Sequence, residues 1–197
     1  MSDAIALQNL QVENSKALEL RIQELEATVS KWRERALRDQ LTGCMRREAL
    51  IEVIESRRSM GWLSEQCTLV VLDVDHFKKV NDTWGHPVGD AVLSHLGRLL
   101  REARLPEGSL VARTGGEEFA LIIPTRKGEV ESAVENLREQ IASTAITVSG
   151  ARVKSLYITV SMGLVEWNTD KALIEAVARA DELLYRAKRE GRNRIAA

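Results

Sequence analysis

The most constraining feature of the sequence is a pair of apolar segments that flank a short acidic tip. The apolar segments are residues 109–112, which precede the tip, and residues 119–123, which follow it. The tip holds two glycines followed by two carboxylates: Gly115, Gly116, Glu117 and Glu118. This pattern predicts a β-hairpin, because glycines allow tight turns and a close approach of the backbone to a ligand. Adjacent carboxylates suit a hard cation such as Mg²⁺, and a solvated acidic turn is the alternative at this stage.

A second acidic segment lies about forty residues upstream. The apolar, β-branched run at residues 68–72 is typical of a buried strand, and it ends in Asp73 and Asp75. Residues i and i+2 of a strand project to the same side. Burial of two carboxylates without a counter-charge is costly, and a divalent metal removes that cost. We interpret Asp73 as a metal ligand and favour a cap on the following helix or turn for Asp75.

These segments belong to a series of five motifs that occur in order along the chain. They are DQLT at 39–42, DVDHFK at 73–78, ND at 81–82 with GHPVGD at 85–90, GGEEF at 115–119, and ADELLYRAK at 180–188 with GRN at 191–193. In this order and at these intervals, residues 35–197 resemble the GGDEF family, the diguanylate cyclases, in its GGEEF variant.

The alternation of strand and helix patterns predicts a layered α/β or α+β domain. The elements expected are helices at 48–58, 88–103, 129–143 and 171–188, strands at 69–74, 146–149 and 153–164, and the hairpin at 109–123. The resemblance sharpens the fold class to α+β, with a mostly antiparallel central sheet wrapped by helices, as in nucleotidyl cyclases and polymerase palm domains. It implies condensation of two GTP into cyclic di-GMP and two pyrophosphates by a homodimer that holds one GTP per domain.

The resemblance also implies the catalytic and metal-binding residues. Asp73 and Glu117 are the implied metal ligands, with the backbone carbonyl of Val74 as a further ligand. Glu118 matches the residue beside the second metal or a general base, and the sequence leaves these two roles open. The implied cofactor is Mg²⁺ or Mn²⁺, with two ions per active site, which neutralise phosphate charge and acidify the attacking hydroxyl.

Phosphate binding is expected at two places. The turn after Asp75 leads into a short helix, so the backbone N–H groups of His76, Phe77 and Lys78 are candidates. By resemblance, Lys188 and Arg192 reach the β- and γ-phosphates, and a solvated basic helix end is the alternative for both.

Guanine recognition falls by resemblance to Asn81 and Asp90. A carboxylate accepts hydrogen bonds from the N1–H and N2–H₂ edge of guanine, which adenine does not offer, so Asp90 favours GTP. The alternative for Asp90 is an N-cap on the following helix.

Many family members also carry an inhibitory R-x-x-D site before the hairpin. The corresponding window, residues 106–109, lacks both the Arg and the Asp, so we expect no inhibitory site there.

The first forty residues have a different pattern. Residues 3–38 contain no Gly or Pro, and apolar side chains recur in steps of four and three at Leu18, Ile22, Leu25, Val29, Trp32 and Ala36. This is the seam of a coiled coil, whose register weakens in the first two heptads. We therefore predict a coiled-coil dimerisation and signalling helix at 1–38 and a cyclase domain at 39–197. An amphipathic helix packed on its own domain is the alternative.

Composition narrows the functional classes. The 197 residues carry a formal net charge of −1, which does not favour nucleic-acid binding. Two cysteines indicate no disulfide framework and suit the cytoplasm. No apolar run approaches the roughly 18 residues of a membrane span. We expect an upstream sensor domain or protein as a partner. A non-catalytic GTP or cyclic di-GMP receptor and a coiled-coil interaction module are the other functions considered.

Overall fold

The structure, a computed structural model, describes residues 16, 18–26, 28–29, 32, 36–148 and 155–197. The chain divides into two units, Met1–Leu37 and Arg38–Ala197. The described residues of the first unit are helical. The apolar side chains predicted to form the seam are about half exposed or more at Leu18, Ile22, Leu25, Val29 and Trp32. The early heptads, where the register is predicted to weaken, lie mostly outside the described residues.

A single sheet organises the described part of the second unit. In chain order its strands are β1 (Met45–Arg46), β2 (Gln66–Val74), β3 (Leu110–Arg113), β4 (Glu118–Ile123), β5 (Val160–Asn168) and β6 (Ile195–Ala196). Their order across the sheet is β1-β3-β4-β2-β5-β6. The central strand β2 is antiparallel to both β4 and β5, β3 is antiparallel to β4, and the short edge strands are parallel to their neighbours.

Helices cover both faces of this sheet. They are α1 (Arg47–Ser59), α2 (Phe77–Trp84), α3 (His86–Glu102), α4 (Lys127–Ser143) and α5 (Leu173–Arg189). Val70 and Leu72 of β2 pack in one core cluster with α2, α3 and α4, whereas Leu69 and Val71 pack in the other with α1 and α5. Because β2 is buried on both faces, it reads as a continuous apolar run in the sequence. The predicted α+β class, a central sheet wrapped by helices, is confirmed.

The main departure from prediction concerns the segment after α4. Strands were expected at 146–149 and 153–164, but Ile146 and Leu156 form only an isolated antiparallel bridge, with N–H···O distances of 2.8 and 3.0 Å. The turn expected between them lies in residues 149–154, outside the described part of the chain. Strand β5 begins later, at Val160, and continues to Asn168 because the facing strand β2 extends back to Gln66.

Gly163 of β5 sets the distance between the sheet and α5. A Cβ atom at this position would lie 2.0 Å from the carbonyl oxygen of Ala180 and 2.7 Å from the backbone nitrogen of Leu184. Since backbone atoms cannot rotate away, the helix would have to move outward. Close packing of α5 on the sheet therefore requires glycine here.

We predict that Gly163→Ala lowers the free energy of unfolding by about 3 kcal/mol, because overpacking against backbone atoms displaces a core helix. Gly128→Ala is the matched control, since nothing lies within 4 Å of a Cβ added there. Its helical position in α4 makes the control neutral or up to about 1 kcal/mol more stable. Urea unfolding of both variants tests this, and a Gly163→Ala protein as stable as the wild type would contradict it.

Candidate active site

The end of the central strand brings Asp73 beside the hairpin. Asp73 pairs in register with Glu118 of β4 and with Ser161 of β5. By strand alternation it shares the sheet face of Leu69 and Val71, which is the face covered by α5. There the ammonium Nζ of Lys188 lies 2.8 Å from Asp73 Oδ1. The alternative of a solvated helix end is therefore wrong for Lys188, because its charge is paired with a buried carboxylate.

The hairpin between β3 and β4 carries the acidic tip, as predicted. The N–H of Thr114 donates to the carbonyl of Glu118 at 2.9 Å, and the N–H of Val74 donates to the carbonyl of Glu117 at 3.4 Å. Gly115 and Gly116 do not have positive φ angles. A Cβ on Gly115 would lie 2.5 Å from Glu118 Oε2, so glycine here makes room for that side chain. Gly116 faces open space.

An ion pair that the sequence did not indicate anchors this hairpin. Arg113 Nη1 donates to Asp39 Oδ1 at 3.0 Å, and Nη2 of the same guanidinium donates to the carbonyl of Gly116 at 2.6 Å. Thr42 adds two further hydrogen bonds to Asp39 Oδ1. Burial by itself would raise the pKa of Asp39, but the hydrogen bonds from Thr42 and Arg113 outweigh it and lower that pKa below its ordinary value. The carboxylate thus stays ionised and fixes the position of the tip.

Burial and the neighbouring charges at this end of the sheet act on the pKa of Glu117. Burial raises the pKa of Glu117, the negative charge of Asp73 raises it further, and the charge of Lys188 lowers it in part. Among the described residues, no three His, Cys, Asp or Glu side chains form a group arranged to hold a metal. Magnesium in nucleotide sites uses one or two carboxylates together with substrate phosphates. The carboxylates of Asp73 and the hairpin therefore fit a cation whose remaining ligands come from the phosphates of a nucleotide.

Asp75 has a different role from the one predicted. Its Oδ1 accepts a hydrogen bond from Ser161 at 2.7 Å, and its Oδ2 accepts bonds from Thr159 Oγ1 at 2.7 Å and from the N–H of Asn193 at 3.0 Å. The residue that precedes α2 is His76, without a side-chain cap. The predicted cap is therefore wrong, because the buried carboxylate is occupied by donors far away in the sequence.

Apart from Lys188, the expected phosphate-binding residues adjoin Asp75. His76–Lys78 follow it in the chain, and Arg192 precedes Asn193, whose N–H donates to it. His76 has a left-handed conformation with φ of 57°, and its carbonyl accepts the first helical bonds of α2, from Lys79 and Val80. The N–H groups of Phe77 and Lys78 precede these bonds and so lack partners within the helix. Arg192 is in the turn after α5, also with positive φ, and its N–H donates to Ala187 at 3.0 Å.

The two expected guanine-binding residues are on α2 and α3. Among the described residues, the buried Oδ1 atom of Asn81 has no hydrogen-bond partner. A Cβ on Gly89 would lie 1.9 Å from this atom, so glycine at 89 lets the amide approach α3 closely. Asp90 follows directly and is exposed. It is the fifth residue of α3, whose N-cap position is Gly85, so the alternative of an N-cap at Asp90 is wrong.

The sheet is mostly antiparallel, and it carries carboxylates at the end of its central strand beside an acidic hairpin. These features define a class of α+β domains with an acidic site at one end of the sheet. Within that class the chain belongs to the GGDEF family. The family described as "Diguanylate cyclase, GGDEF domain" matches residues 36–194.

Curated relatives agree with this membership. The chain is 40% identical over 167 residues to diguanylate cyclase DgcP of Pseudomonas aeruginosa, covering 83% of this chain and 24% of that protein. It is 36% identical over 182 residues to diguanylate cyclase VdcA of Vibrio cholerae, covering 91% and 52%. The chain thus spans from about a quarter to about half of the length of these relatives.

Solved structures give the same fold. The coiled coil and GGDEF domain of DgcB from Caulobacter crescentus, in complex with c-di-GMP, superposes with a TM-score of 0.81 at 29% identity, covering 96% of this chain and 98% of that one. Diguanylate cyclase SiaD of Pseudomonas aeruginosa, in complex with its activator SiaC, has a TM-score of 0.76 at 33% identity, covering 99% and 75%. Within the described residues, none of the helices combines the length and apolar character needed to cross a bilayer.

We predict unequal effects of amide substitution on stability at the two aspartates of DVDHFK. Asp75→Asn places an amide NH₂ against donors, and we expect it to cost about 1 to 3 kcal/mol of unfolding free energy. Asp73→Asn removes a like charge from an acidic cluster as well as the Lys188 pair, and we expect a change within about 1 kcal/mol. Thermal and urea unfolding measure both, with the exposed Asp82→Asn as control. Equal losses for both variants would contradict the division of roles.

Proposed function

We propose that this chain is a diguanylate cyclase domain, which condenses two GTP into cyclic di-GMP and two pyrophosphates. The observation that carries the proposal is the meeting of Asp73, the Glu117–Glu118 hairpin and Lys188 at one end of the sheet. Membership of the GGDEF family and relatives named diguanylate cyclases support the same reaction. Each bond forms when the ribose 3′-hydroxyl of one nucleotide attacks the α-phosphorus of the other and pyrophosphate leaves.

The metal-binding residues in this proposal are Asp73, Glu117, Glu118 and the carbonyl of Val74. Mg²⁺ or Mn²⁺, two ions per active site, supplies neutralisation of phosphate charge and a more acidic hydroxyl when bound. Glu117 is partly buried and its pKa is raised by burial and by Asp73, as expected for a carboxylate that gains from a cation nearby. Glu118, which is exposed at the tip, is either a ligand of the second ion or the base that takes the hydroxyl proton.

The remaining residues position the substrate. The N–H groups at the start of α2, from His76 to Lys78, bind phosphate oxygens, and Lys188 and Arg192 neutralise the β- and γ-phosphates. Asn81 and Asp90 bind the guanine edge, where the carboxylate of Asp90 accepts hydrogen bonds from N1–H and N2–H₂. The unpartnered Oδ1 of Asn81 supports this role, because a buried acceptor without a donor is costly unless a ligand supplies one.

The active form is a homodimer, since two bound nucleotides must face each other for the reaction. The exposed apolar side chains Leu18, Ile22, Leu25, Val29 and Trp32 support pairing through the 1–38 coiled coil. A coiled coil of this kind raises the local concentration of the domains and fixes their rotation. In this proposal, an upstream sensor domain or protein regulates the cyclase activity through this helix. A cytoplasmic location suits Cys44 and Cys67, which are both buried and unpaired.

We also propose that the product does not inhibit through the window at 106–109. Its residues lack the Arg and Asp of the inhibitory motif. Within the window, the carbonyl of Gly108 already accepts a hydrogen bond from Arg57 at 2.6 Å, and the carbonyl of Pro106 accepts one from Ser109 at 2.6 Å. These contacts support a structural role for the segment.

The first test is incubation of the purified chain with GTP and Mg²⁺, followed by chromatography of the nucleotides. We expect cyclic di-GMP from the wild type and a loss of at least about 100-fold in Glu117→Gln, because charge stabilisation in the transition state is removed. Glu131→Gln, at an exposed position of α4, is the matched control and should retain activity. A dimer that binds GTP without forming product would favour the receptor function, and a fully active Glu117→Gln would contradict the metal assignment.

The second test concerns the coiled coil. Insertion of seven residues near position 14 preserves the heptad phase, whereas insertion of four shifts the seam. We expect the four-residue insertion to change the rate of cyclic di-GMP formation by about ten-fold or more, and the seven-residue insertion to leave it near wild type. Light scattering reports whether both variants remain dimers. Identical rates for all insertions would contradict regulation through register.

A further inference from the structure

The Lys188–Asp73 contact is buried on the side of the carboxylate and partly exposed on the side of the ammonium. The side chain of Asp73 is 8% exposed and that of Lys188 is 31% exposed, with 2.8 Å between Nζ and Oδ1. Lys188 is in the last turn of α5, and Asp73 is the second-last residue of β2. The pair therefore joins the two elements at the position where the family's metal site is expected.

Lys188 also acts on the neighbouring carboxylate. Glu117 is partly buried at the same end of the sheet, within reach of the negative charges of Asp73 and Glu118 and of the positive charge of Lys188. The positive charge of Lys188 thus offsets part of the repulsion among three carboxylates. A divalent metal ion bound to Asp73 would also reduce this repulsion. The Lys188 ammonium and the metal ion would therefore neutralise the same carboxylates.

We propose that Lys188 is an internal counter-cation that restricts metal binding at Asp73 until a nucleotide draws its ammonium to the phosphates. This inference rests on the proposed function for the identity of the nucleotide. Like charges a few ångströms apart in a poorly solvated site repel strongly. Ammonium and metal therefore compete for Asp73. Lysine suits such an exchange, because its charge is a compact point on a flexible four-carbon stem.

A thermodynamic consequence follows from the exchange. Without nucleotide, metal binding must break the pair with Asp73 and leave Lys188 beside a second cation. With nucleotide, the phosphates offer Lys188 another anion, and Asp73 becomes free for the metal. Nucleotide and metal should then favour each other's binding, by a factor that is the same in both directions. Part of this coupling should depend on the charge at position 188.

The test is Mn²⁺ binding to the full chain, measured by electron paramagnetic resonance without nucleotide and with saturating 3′-deoxy-GTP, which lacks the attacking hydroxyl. We expect Lys188→Met to bind Mn²⁺ about ten-fold more tightly than wild type without nucleotide, which corresponds to roughly 1.4 kcal/mol. The enhancement of Mn²⁺ affinity by 3′-deoxy-GTP should fall by a similar factor. Lys188→Arg keeps the charge and should bind Mn²⁺ as weakly as wild type.

Arg179→Met is the matched control, because it removes one positive charge from an exposed position of the same helix. If Lys188→Met and Lys188→Gln bind Mn²⁺ no more tightly than Arg179→Met does, the exchange is refuted. Thermal unfolding of each variant verifies that the comparison is made on folded protein. Because the readout needs no turnover, an inactive chain can still support the exchange. Mn²⁺ binding that survives Asp73→Asn together with Glu117→Gln would refute the metal site itself.

Discussion

The carboxylate of Asp75 joins three parts of the domain at one end of the central strand. It binds Thr159 just before β5, Ser161 in β5 and the backbone of Asn193 after α5. Arg192 and Asn193 both have positive φ, a conformation that is unfavourable for residues with a side chain. The hydrogen bond from Asn193 therefore helps to hold a strained turn. That turn follows α5 directly, so Asp75 also fixes the helix that carries Lys188 beside Asp73.

Asp73, near the end of β2, and Asp75, in the turn directly after it, thus have different roles. Asp75 is satisfied by neutral donors and contributes to stability, whereas Asp73 is adjacent to other carboxylates and is balanced by one lysine. Acidic clusters of this kind are costly for folding and are typical of functional sites. The hairpin is fixed from its other side by Arg113, which links Asp39 to the carbonyl of Gly116. An ion pair therefore lies on each side of the acidic site: Lys188 with Asp73 at the strand, and Arg113 with Asp39 at the hairpin.

Features carried by local patterns were predictable from the sequence, and features carried by distant contacts were not. The hairpin and the buried strand follow from apolar runs, and the helices follow from their spacing. Strands β1 and β6 have two residues each, too few for any periodicity. The donors to Asp75 lie 84, 86 and 118 residues away, and the pair of Asp39 with Arg113 spans 74. A cap is a local motif, so the sequence favoured it over contacts of this range.

The central claim is that Asp73 and the hairpin carboxylates form a metal-dependent nucleotide site. Its most direct measurement is the anomalous scattering of Mn²⁺ in crystals grown with 3′-deoxy-GTP. We predict a peak bordered by Asp73 and Glu117, with the ammonium of Lys188 moved from Asp73 to the phosphates and the guanine edge against Asn81. A nucleotide bound elsewhere, with no Mn²⁺ near Asp73 and Lys188 still paired with it, would contradict the claim.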